Sequence, residues 1–352
     1  MSRSAARPLF RRHDPSSQTR YQDTVQRARA QRRVLAGTPG TLKQRIRGGK
    51  AYWVREHIRI DGAKDDEHVG PVASVPQGHV AAWRMDIEAA RALATASGAL
   101  RLAGYQRMDR QPAAVLAILF NHGLWAAGLT LVGSHAYSAL LNELGLVAPG
   151  FRTRDLDLAR HRPMEIALSP GATFATLLAD TGLPFAPVPG MPSSRPSASF
   201  KLPGADALLV DLLVPGLEAG KVVPVAELGS HGQAIPLLEF LVDDAIDTAI
   251  LSPNQVVPVR VPAPERFVLH KLYASQSRRV HPGKSTKDIE QAAVLAAALE
   301  EDFPGRLREA WRRFPAPGRA AARRGGALAL KHLDGVHPGA AELLRKMAKG
   351  LK

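Results

Sequence analysis

Short apolar segments separated by turn residues fill the middle of the chain, and longer helical patterns flank them. From Leu129 onward the apolar runs have the length of buried strands. The predicted strands are Leu129–Val132, Leu156–Leu158, Ala207–Val214, Leu237–Val242 and Val256–Val261. Pro184–Pro203, which is rich in Pro and Ser, is predicted to be a loop, and so is Gly229-Ser230-His231.

The N-terminal pattern predicts a polar arm, a helix and a hairpin. Residues 1–20 are polar and rich in Arg, which favours disorder, and residues 21–36 are helical up to Gly37. The hairpin pairs Leu42–Arg47 with Ala51–Ile60 across Gly48-Gly49. Asp61-Gly62 is a strong turn signal, and a return segment ends at Gly70-Pro71.

Residues 111–142 contain no Lys, Arg, Asp or Glu. A membrane helix needs about 20 consecutive apolar residues. Here Asn121-His122-Gly123, Gly128 and Thr130 interrupt the run, so it is predicted to form a buried helix, a buried strand and a second buried helix rather than a membrane span. The other predicted helices are Trp83–Leu102, Pro112–Trp125, Glu265–Gln276, Lys287–Leu299 and Arg306–Phe314.

These elements indicate an α/β (α+β) fold with a mixed sheet, an N-terminal β-hairpin and a helical C-terminal region. The expected units are a basic arm and helix (1–37), the hairpin (38–72), a helical segment (73–127), a core (128–262) and C-terminal helices (263–352). The 352 residues include no cysteine, which excludes disulfides, thiolate metal sites and cysteine nucleophiles. No signal peptide is recognisable, and a cytoplasmic protein is expected.

The net charge of +15 is concentrated at the two ends of the chain. Residues 1–60 hold 15 Lys and Arg against 3 Asp and Glu, and residues 301–352 hold 12 against 5. Residues 61–300 hold 20 against 24. Basic ends point to a polyanionic partner such as RNA, or else to solvated tails.

One strand–turn–helix segment carries candidate chemistry. The apolar run Leu129–Val132 leads through Gly133-Ser134 into a helical pattern. Such a turn presents backbone N–H groups and a helix N-terminus to an anion, typically phosphate. Gly133 allows close backbone approach, and Ser134 is predicted to cap the helix and to donate to a phosphate oxygen.

Three acids are the second feature. In Asp155-Leu156-Asp157-Leu158 the alternation of a strand places both carboxylates on one face. Asp211 stands alone inside the apolar strand Ala207–Val214, where a charge is costly unless it is paired or bound to a cation. Three carboxylates on neighbouring strands can hold Mg²⁺ ions for phosphoryl or nucleotidyl transfer.

Together these motifs resemble the nucleotidyltransferase (DNA polymerase β-like) superfamily. More narrowly, the chain resembles the nucleotidyltransferase-like family related to abortive-infection type IV toxins. The segments that carry this narrower resemblance are Ala51 to Pro71, Ser197–Lys201, Val261–Leu272 and Lys287–Ala292. The interval from Ser134 to Asp155 is longer than in compact members of the superfamily, so the connection Gly145–Thr153 has to be accommodated.

The resemblance implies a nucleotidyltransferase fold and a role for each motif. Asp155 and Asp157 would bind two Mg²⁺ ions, and Asp211 would complete the second site and activate an attacking hydroxyl. Gly133 and Ser134 would hold the triphosphate of an NTP. The cations that would neutralise phosphate charge are Lys271, Lys284 and Lys287.

The predicted activity is Mg²⁺-dependent transfer of a nucleotidyl group from an NTP to a hydroxyl of RNA such as tRNA, of a protein or of a small molecule. The resemblance also allows a toxin-like component with an antitoxin partner. The alternative is a non-catalytic nucleic-acid-binding protein that keeps the fold. The presence of all three acids favours the enzyme.

Overall fold

A computed structural model describes residues 7–151, 153–166, 171–190, 195–205, 207–277 and 282–350. In its N-terminal part, helices precede and follow along the chain a small antiparallel sheet of order β2-β3-β4. The elements of this part are β1 (Arg11–Arg12), α1 (Pro15–Arg29), β2 (Thr41–Arg47), β3 (Lys50–Ile58), β4 (Lys64–Pro71) and α2 (Gln77–Leu102). The predicted hairpin is confirmed, and its return segment forms the third strand.

The prediction of a disordered arm over residues 1–20 is wrong for residues 7–20, and residues 1–6 lie outside the described residues. Helix α1 begins six residues earlier than predicted because Asp14 caps it, accepting a hydrogen bond from the backbone N–H of Ser17 at 2.9 Å. The helix is then secured by burial of Tyr21. The amino-acid composition of residues 7–20 does not indicate that they are ordered, because contacts with distant segments of the chain stabilise them.

The small sheet is attached to the chain on its N-terminal side by a buried arginine. The Arg55 side chain on β3 is 1% exposed. Its guanidinium donates to the carbonyl oxygens of Ala36 and Thr38, each at 3.0 Å, and to Glu67 at 2.7 Å. Hydrogen bonds to both backbone and carboxylate offset the cost of burying this charge.

The charge-free segment folds as predicted. It forms α3 (Arg110–Asn121), β5 (Leu129–Leu131) and α4 (Gly133–Glu143), all largely buried. Among the described residues, none of the helices combines the length and the apolar character that a membrane crossing requires.

A mixed sheet of seven strands forms the centre of the fold. Its main path runs β11-β12-β10-β7-β5; β9 also pairs with β10, and β8 pairs with β9. Strands β7, β10 and β12 are parallel, whereas β5 runs antiparallel to β7. The further elements of this region are β6 (Leu146–Val147), β7 (Asp155–Arg160), α5 (Phe174–Ala179), β8 (Ala186–Pro187), β9 (Ser199–Lys201), β10 (Leu209–Pro215), β11 (Val222–Val225), β12 (Ser230–Ile235), α6 (Leu238–Val242), β13 (Ile246–Leu251) and β14 (Val256–Val261).

Three local predictions for this region are wrong. Leu237–Val242 was expected to be a strand, but it forms α6, since a short apolar run does not distinguish a buried strand from a buried helix. The strand position beside β10 is occupied instead by β12, which begins at Ser230 in a segment predicted to be a loop. The Pro-rich stretch 184–203 contains β8 and β9, and its residues 191–194 lie outside the described residues.

The C-terminal region is helical, as predicted. Its helices are α7 (Pro264–Ser277), α8 (Pro282–Asp302), α9 (Arg306–Arg313), α10 (Ala316–Leu333) and α11 (Pro338–Ala348). One continuous apolar core joins these helices to the central sheet, through residues such as Val210, Leu269 and Leu295. The predicted α+β class, with a mixed sheet and a helical C-terminal region, is confirmed.

Candidate active site

The turn between β5 and α4 is held against β7 by a backbone hydrogen bond. Val132 N–H donates to the carbonyl oxygen of Asp157 at 2.9 Å, which continues the pairing of the two strands by one residue. Gly133 follows with φ +69°, and a Cβ at this position would overlap the Asp157 carboxylate. The glycine is therefore required both by its backbone conformation and by the carboxylate beside it.

The structure places the three acids on adjacent parallel strands. Asp155 and Asp157 are the first and third residues of β7, and they alternate with the buried Leu156. Asp157 and Asp211 are register partners across β7 and β10. Neighbouring residues of paired strands lie on the same face of the sheet, so the Asp211 carboxylate shares a face with the pair.

The environment of Asp211 disfavours its charge. Burial raises the pKa of Asp211 to about 6, and the negative charges of Asp157 and Asp155 act in the same direction. A hydrogen bond from Ser199 Oγ to Asp211 Oδ1 opposes this shift. Ser199 lies directly across from Asp211 in the register of β9 and β10.

The three predicted lysines lie at different depths around these acids. Lys284 Nζ is 3.6 Å from an Asp155 oxygen, and its side chain is 60% exposed. Lys287 lies deeper, and burial together with the nearby positive charge of Lys271 lowers its pKa. Lys271 is buried and donates to Asp288 at 2.6 Å. An internal carboxylate thus already engages Lys271, unlike the exposed Lys284.

The predicted capping role of Ser134 is wrong. The N-cap residue of α4 is Val132, which makes no side-chain capping hydrogen bond, and Ser134 is the second residue inside the helix. Helix α4 thus begins at Gly133, two residues earlier than a helix capped by Ser134 would begin. The Ser134 hydroxyl is therefore not committed to capping its own helix.

Two polar residues at the site were not identified from the sequence. Ser199 lay in a presumed loop, and only the pairing of β9 with β10 brings it to Asp211. His135 follows Ser134, and its Nε2 is buried with no hydrogen-bond partner among the described residues. Burial, followed by the charge of Lys287, lowers the His135 pKa to about 4. The imidazole is therefore neutral at pH 7.

The carboxylates of Asp155, Asp157 and Asp211 are the candidate ligands for a divalent cation. Within the described ranges, no group of three or more Asp, Glu or His side chains is arranged to hold a metal ion. Each acid of the trio engages a protein neighbour instead, Asp211 through Ser199 and Asp155 through Lys284. Chemically, however, three carboxylates whose charges disfavour one another are a suitable donor set for a hard cation with oxygen ligands.

The part of the chain that carries this site matches a known protein family. A family described as Nucleotidyltransferase matches residues 110–315, which include every acid and lysine considered above. A similar solved structure is that of an antigenic nucleotidyltransferase-like protein from Paracoccidioides brasiliensis. It is 17% identical, with a TM-score of 0.33 over 60% of this chain and 91% of that one. None of the curated proteins is significantly similar.

Proposed function

Since the chain belongs to the nucleotidyltransferase family, we propose that it transfers a nucleotidyl group from an NTP to a hydroxyl acceptor in a Mg²⁺-dependent reaction. The observation that carries this proposal is the register of Asp157 with Asp211 beside the Gly133 turn. It brings the carboxylates and the turn that begins α4 to the same end of two strands.

The residues that would hold Mg²⁺ are Asp155, Asp157 and Asp211. When bound, Mg²⁺ would offset the carboxylate charges and stabilise the charge that develops on the reacting phosphate. Burial raises the pKa of Asp211 in the protein alone, and the negative charges of Asp157 and Asp155 add to this effect. A cation bound between the three side chains would relieve the repulsion between their negative charges.

The triphosphate would lie on the first turn of α4. The N-cap residue of this helix, Val132, makes no side-chain capping hydrogen bond. The first backbone N–H groups of α4 would therefore donate to phosphate oxygens, along with the Ser134 hydroxyl. Lys284 and Lys287 would supply positive charge toward the pyrophosphate end. Because Lys271 is already bound to Asp288, its contribution would be to position α7 against α8.

In the proposed step the acceptor hydroxyl oxygen attacks the α-phosphorus of the NTP. The bond from the α-phosphorus to the oxygen that bridges it to the β-phosphate breaks, and pyrophosphate leaves with that electron pair. The hydroxyl proton passes to a carboxylate oxygen of Asp211. Ser199, bound to Asp211 Oδ1, fixes the carboxylate so that Oδ2 remains for this role.

The acceptor is proposed to be RNA, because both ends of the chain are basic. The narrower resemblance to abortive-infection toxins, with an antitoxin partner, stays a prediction from sequence. The non-catalytic alternative differs from the enzyme in one measurable respect: it binds nucleic acid without turning over NTP.

Incubation with each α-³²P-labelled NTP, Mg²⁺ and total RNA tests the proposal. We expect label in RNA from at least one NTP, release of pyrophosphate, and loss of both with EDTA or with Asp157→Asn. Asp23→Asn changes an exposed acid on α1 and should leave transfer intact. RNA binding without labelling of RNA, protein or small molecules would support the non-catalytic alternative.

A further inference from the structure

The two basic ends of the chain meet at the C-terminal end of α8. The Arg12 guanidinium donates to Glu301 at 2.9 Å and to Asp302 at 2.7 Å. Leu9 N–H donates to Nε2 of His337 at 3.3 Å. Basic segments at opposite ends of the sequence therefore lie side by side in the fold.

Helices α9 and α10 carry most of the positive charge of this region. Residues 306–333 contain eight Lys and Arg against one acid, Glu309. Arg306 pairs with Glu265 and Arg313 with Glu309. Arg308 interacts electrostatically with Glu300 and Glu342. In the described part of the chain, no acidic side chain forms an ion pair with the remaining arginines of these helices, which are Arg312, Arg319, Arg323 and Arg324.

Arginines of this set lie together around the buried Trp311. Arg319 donates to the carbonyl oxygens of Arg312 and Phe314, each at 3.0 Å, which fixes its guanidinium at the α9–α10 junction. The guanidiniums of Arg319 and Arg323 lie 5.7 and 5.9 Å from the centre of the Trp311 ring. Nε of Arg323 is buried, and none of the described residues forms a hydrogen bond with it. The guanidinium groups of Arg319 and Arg323 are thus held in place, and no carboxylate of the described residues forms an ion pair with them.

An open groove lies beside the cluster. It has a volume of about 720 Å³ and is lined by Phe303, Arg306, Arg308 and Arg312, among others. The Phe303 side chain is exposed, and the Arg306 guanidinium lies 5.6 Å from its ring centre. Aromatic and guanidinium groups at the edge of a basic groove are the elements with which proteins stack bases and bind phosphates.

We infer that the arginine surface, defined as Arg308, Arg312, Arg319 and Arg323 with the adjoining Phe303 groove, binds the phosphate backbone of the RNA acceptor. This inference rests on the proposed function for its choice of RNA. Guanidinium groups bind phosphate oxygens in bidentate fashion. A membrane surface is disfavoured because the apolar face of α9, with Leu307, Ala310 and Trp311, is buried within the protein.

The distance between the arginine surface and the three acids also sets a minimum size for an RNA that contacts both. Lys284 beside the acids and Asp302 beside α9 are separated by eighteen residues of one helix, or roughly 27 Å. A dinucleotide cannot span this distance, whereas a folded RNA can. The surface therefore contributes to binding of long acceptors and not of short ones.

Fluorescence anisotropy with a labelled RNA hairpin, measured over a series of salt concentrations, tests this inference. Arg308→Gln with Arg312→Gln should weaken binding about tenfold and reduce the slope of log K against log salt by about 1.5, because two phosphate contacts are lost. The charge-matched control, Arg84→Gln with Arg101→Gln on α2, should bind as wild type does. Arg308→Lys with Arg312→Lys should recover most of the salt slope.

The transfer assay separates this inference from the proposed function. In the Gln double variant, KM should rise for the hairpin but not for a dinucleotide or for NTP. If the Gln double variant loses RNA binding and wild type shows no nucleotidyl transfer, the result supports RNA binding by the arginine surface and contradicts the proposed enzymatic function. Wild-type affinity in the double variant, an equal loss in the control, or a loss of binding only to vesicles containing phosphatidylserine would each overturn the inference.

Discussion

Gly133 and Asp157 approach each other so closely that the β5–α4 turn has no room for a Cβ beside the Asp157 carboxylate. The contact is anchored by the hydrogen bond from Val132 N–H to the Asp157 carbonyl oxygen. It joins the proposed phosphate cradle and the proposed metal ligand into one rigid unit.

Gly133→Ala should destabilise the protein more than an ordinary glycine substitution at positive φ. Gly49 has φ +73°, close to the +69° of Gly133, but nothing lies within 4 Å of the position of its Cβ. Gly49→Ala should cost about 1–2 kcal/mol of unfolding free energy, and Gly133→Ala at least about 1 kcal/mol more. Urea unfolding measures both variants.

A double-mutant cycle identifies the source of that extra cost. In the Gly133→Ala background, Asp157→Ala removes the carboxylate that a Cβ would overlap and should recover part of the lost stability. Strictly additive effects of the two substitutions would show that the close approach has no energetic consequence.

Asp211→Asn should stabilise the metal-free protein near neutral pH. The pKa of Asp211 is raised from 3.8 to about 6, so the folded state binds this proton more tightly than the unfolded state does. Wild type therefore loses stability relative to the variant as pH rises from about 4 through 6. At pH 7 in EDTA the variant should be more stable by on the order of 1 kcal/mol. A difference that does not change with pH would contradict the raised pKa.

His135→Gln should have the opposite pH dependence in the same interval. The pKa of His135 is lowered from 6.5 to about 4, so the unfolded chain takes up the proton first as pH falls. Relative to the variant, wild type should lose about 1–3 kcal/mol of unfolding free energy between pH 7 and 4. Denaturant unfolding of wild type, His135→Gln and Asp211→Asn at several pH values measures the free energy of unfolding of each. The comparison separates the contribution of His135 from that of Asp211.

Phe10→Ala tests the order of the N-terminal segment. Phe10 is 7% exposed and stacks on His337 with ring centres 5.2 Å apart. Its truncation should cost about 3 kcal/mol of unfolding free energy. The exposed neighbour Arg11 serves as control, and Arg11→Ala should change stability by less than about 0.5 kcal/mol. Equal stability of the two variants would mean that the segment is not docked in solution.

Prediction from sequence succeeded where the signal was local. The alternation in Asp155-Leu156-Asp157-Leu158 gave the strand β7 and the shared face of its acids. The interruptions within residues 111–142 gave two buried helices with a strand between them. In both segments, buried positions recur with the periodicity of the helix or strand that the segment forms.

Prediction failed where partners distant in sequence decide the outcome. The segment 7–20 looks disordered by composition, yet Arg12 reaches Glu301 and Asp302. Ser199 is one of several serines in a Pro-rich stretch, and pairing of β9 with β10 brings it to Asp211. His135 Nε2 is buried with no hydrogen-bond partner among the described residues. This burial results from the packing around α4, which the spacing of residues in the sequence does not predict.

The central claim is that Asp155, Asp157 and Asp211 hold Mg²⁺ for a bound NTP, and thermal melts of wild type and Asp157→Asn test it most directly. Asn keeps the shape of Asp157 and removes one charge. With Mg²⁺ plus a non-hydrolysable NTP analogue, wild type should melt a few degrees higher than in EDTA. Asp157→Asn should show no such shift while being at least as stable as wild type in EDTA, and Asp23→Asn should behave as wild type does. A wild type without a Mg²⁺-dependent shift, or an Asp157→Asn protein that shifts equally, would contradict the account.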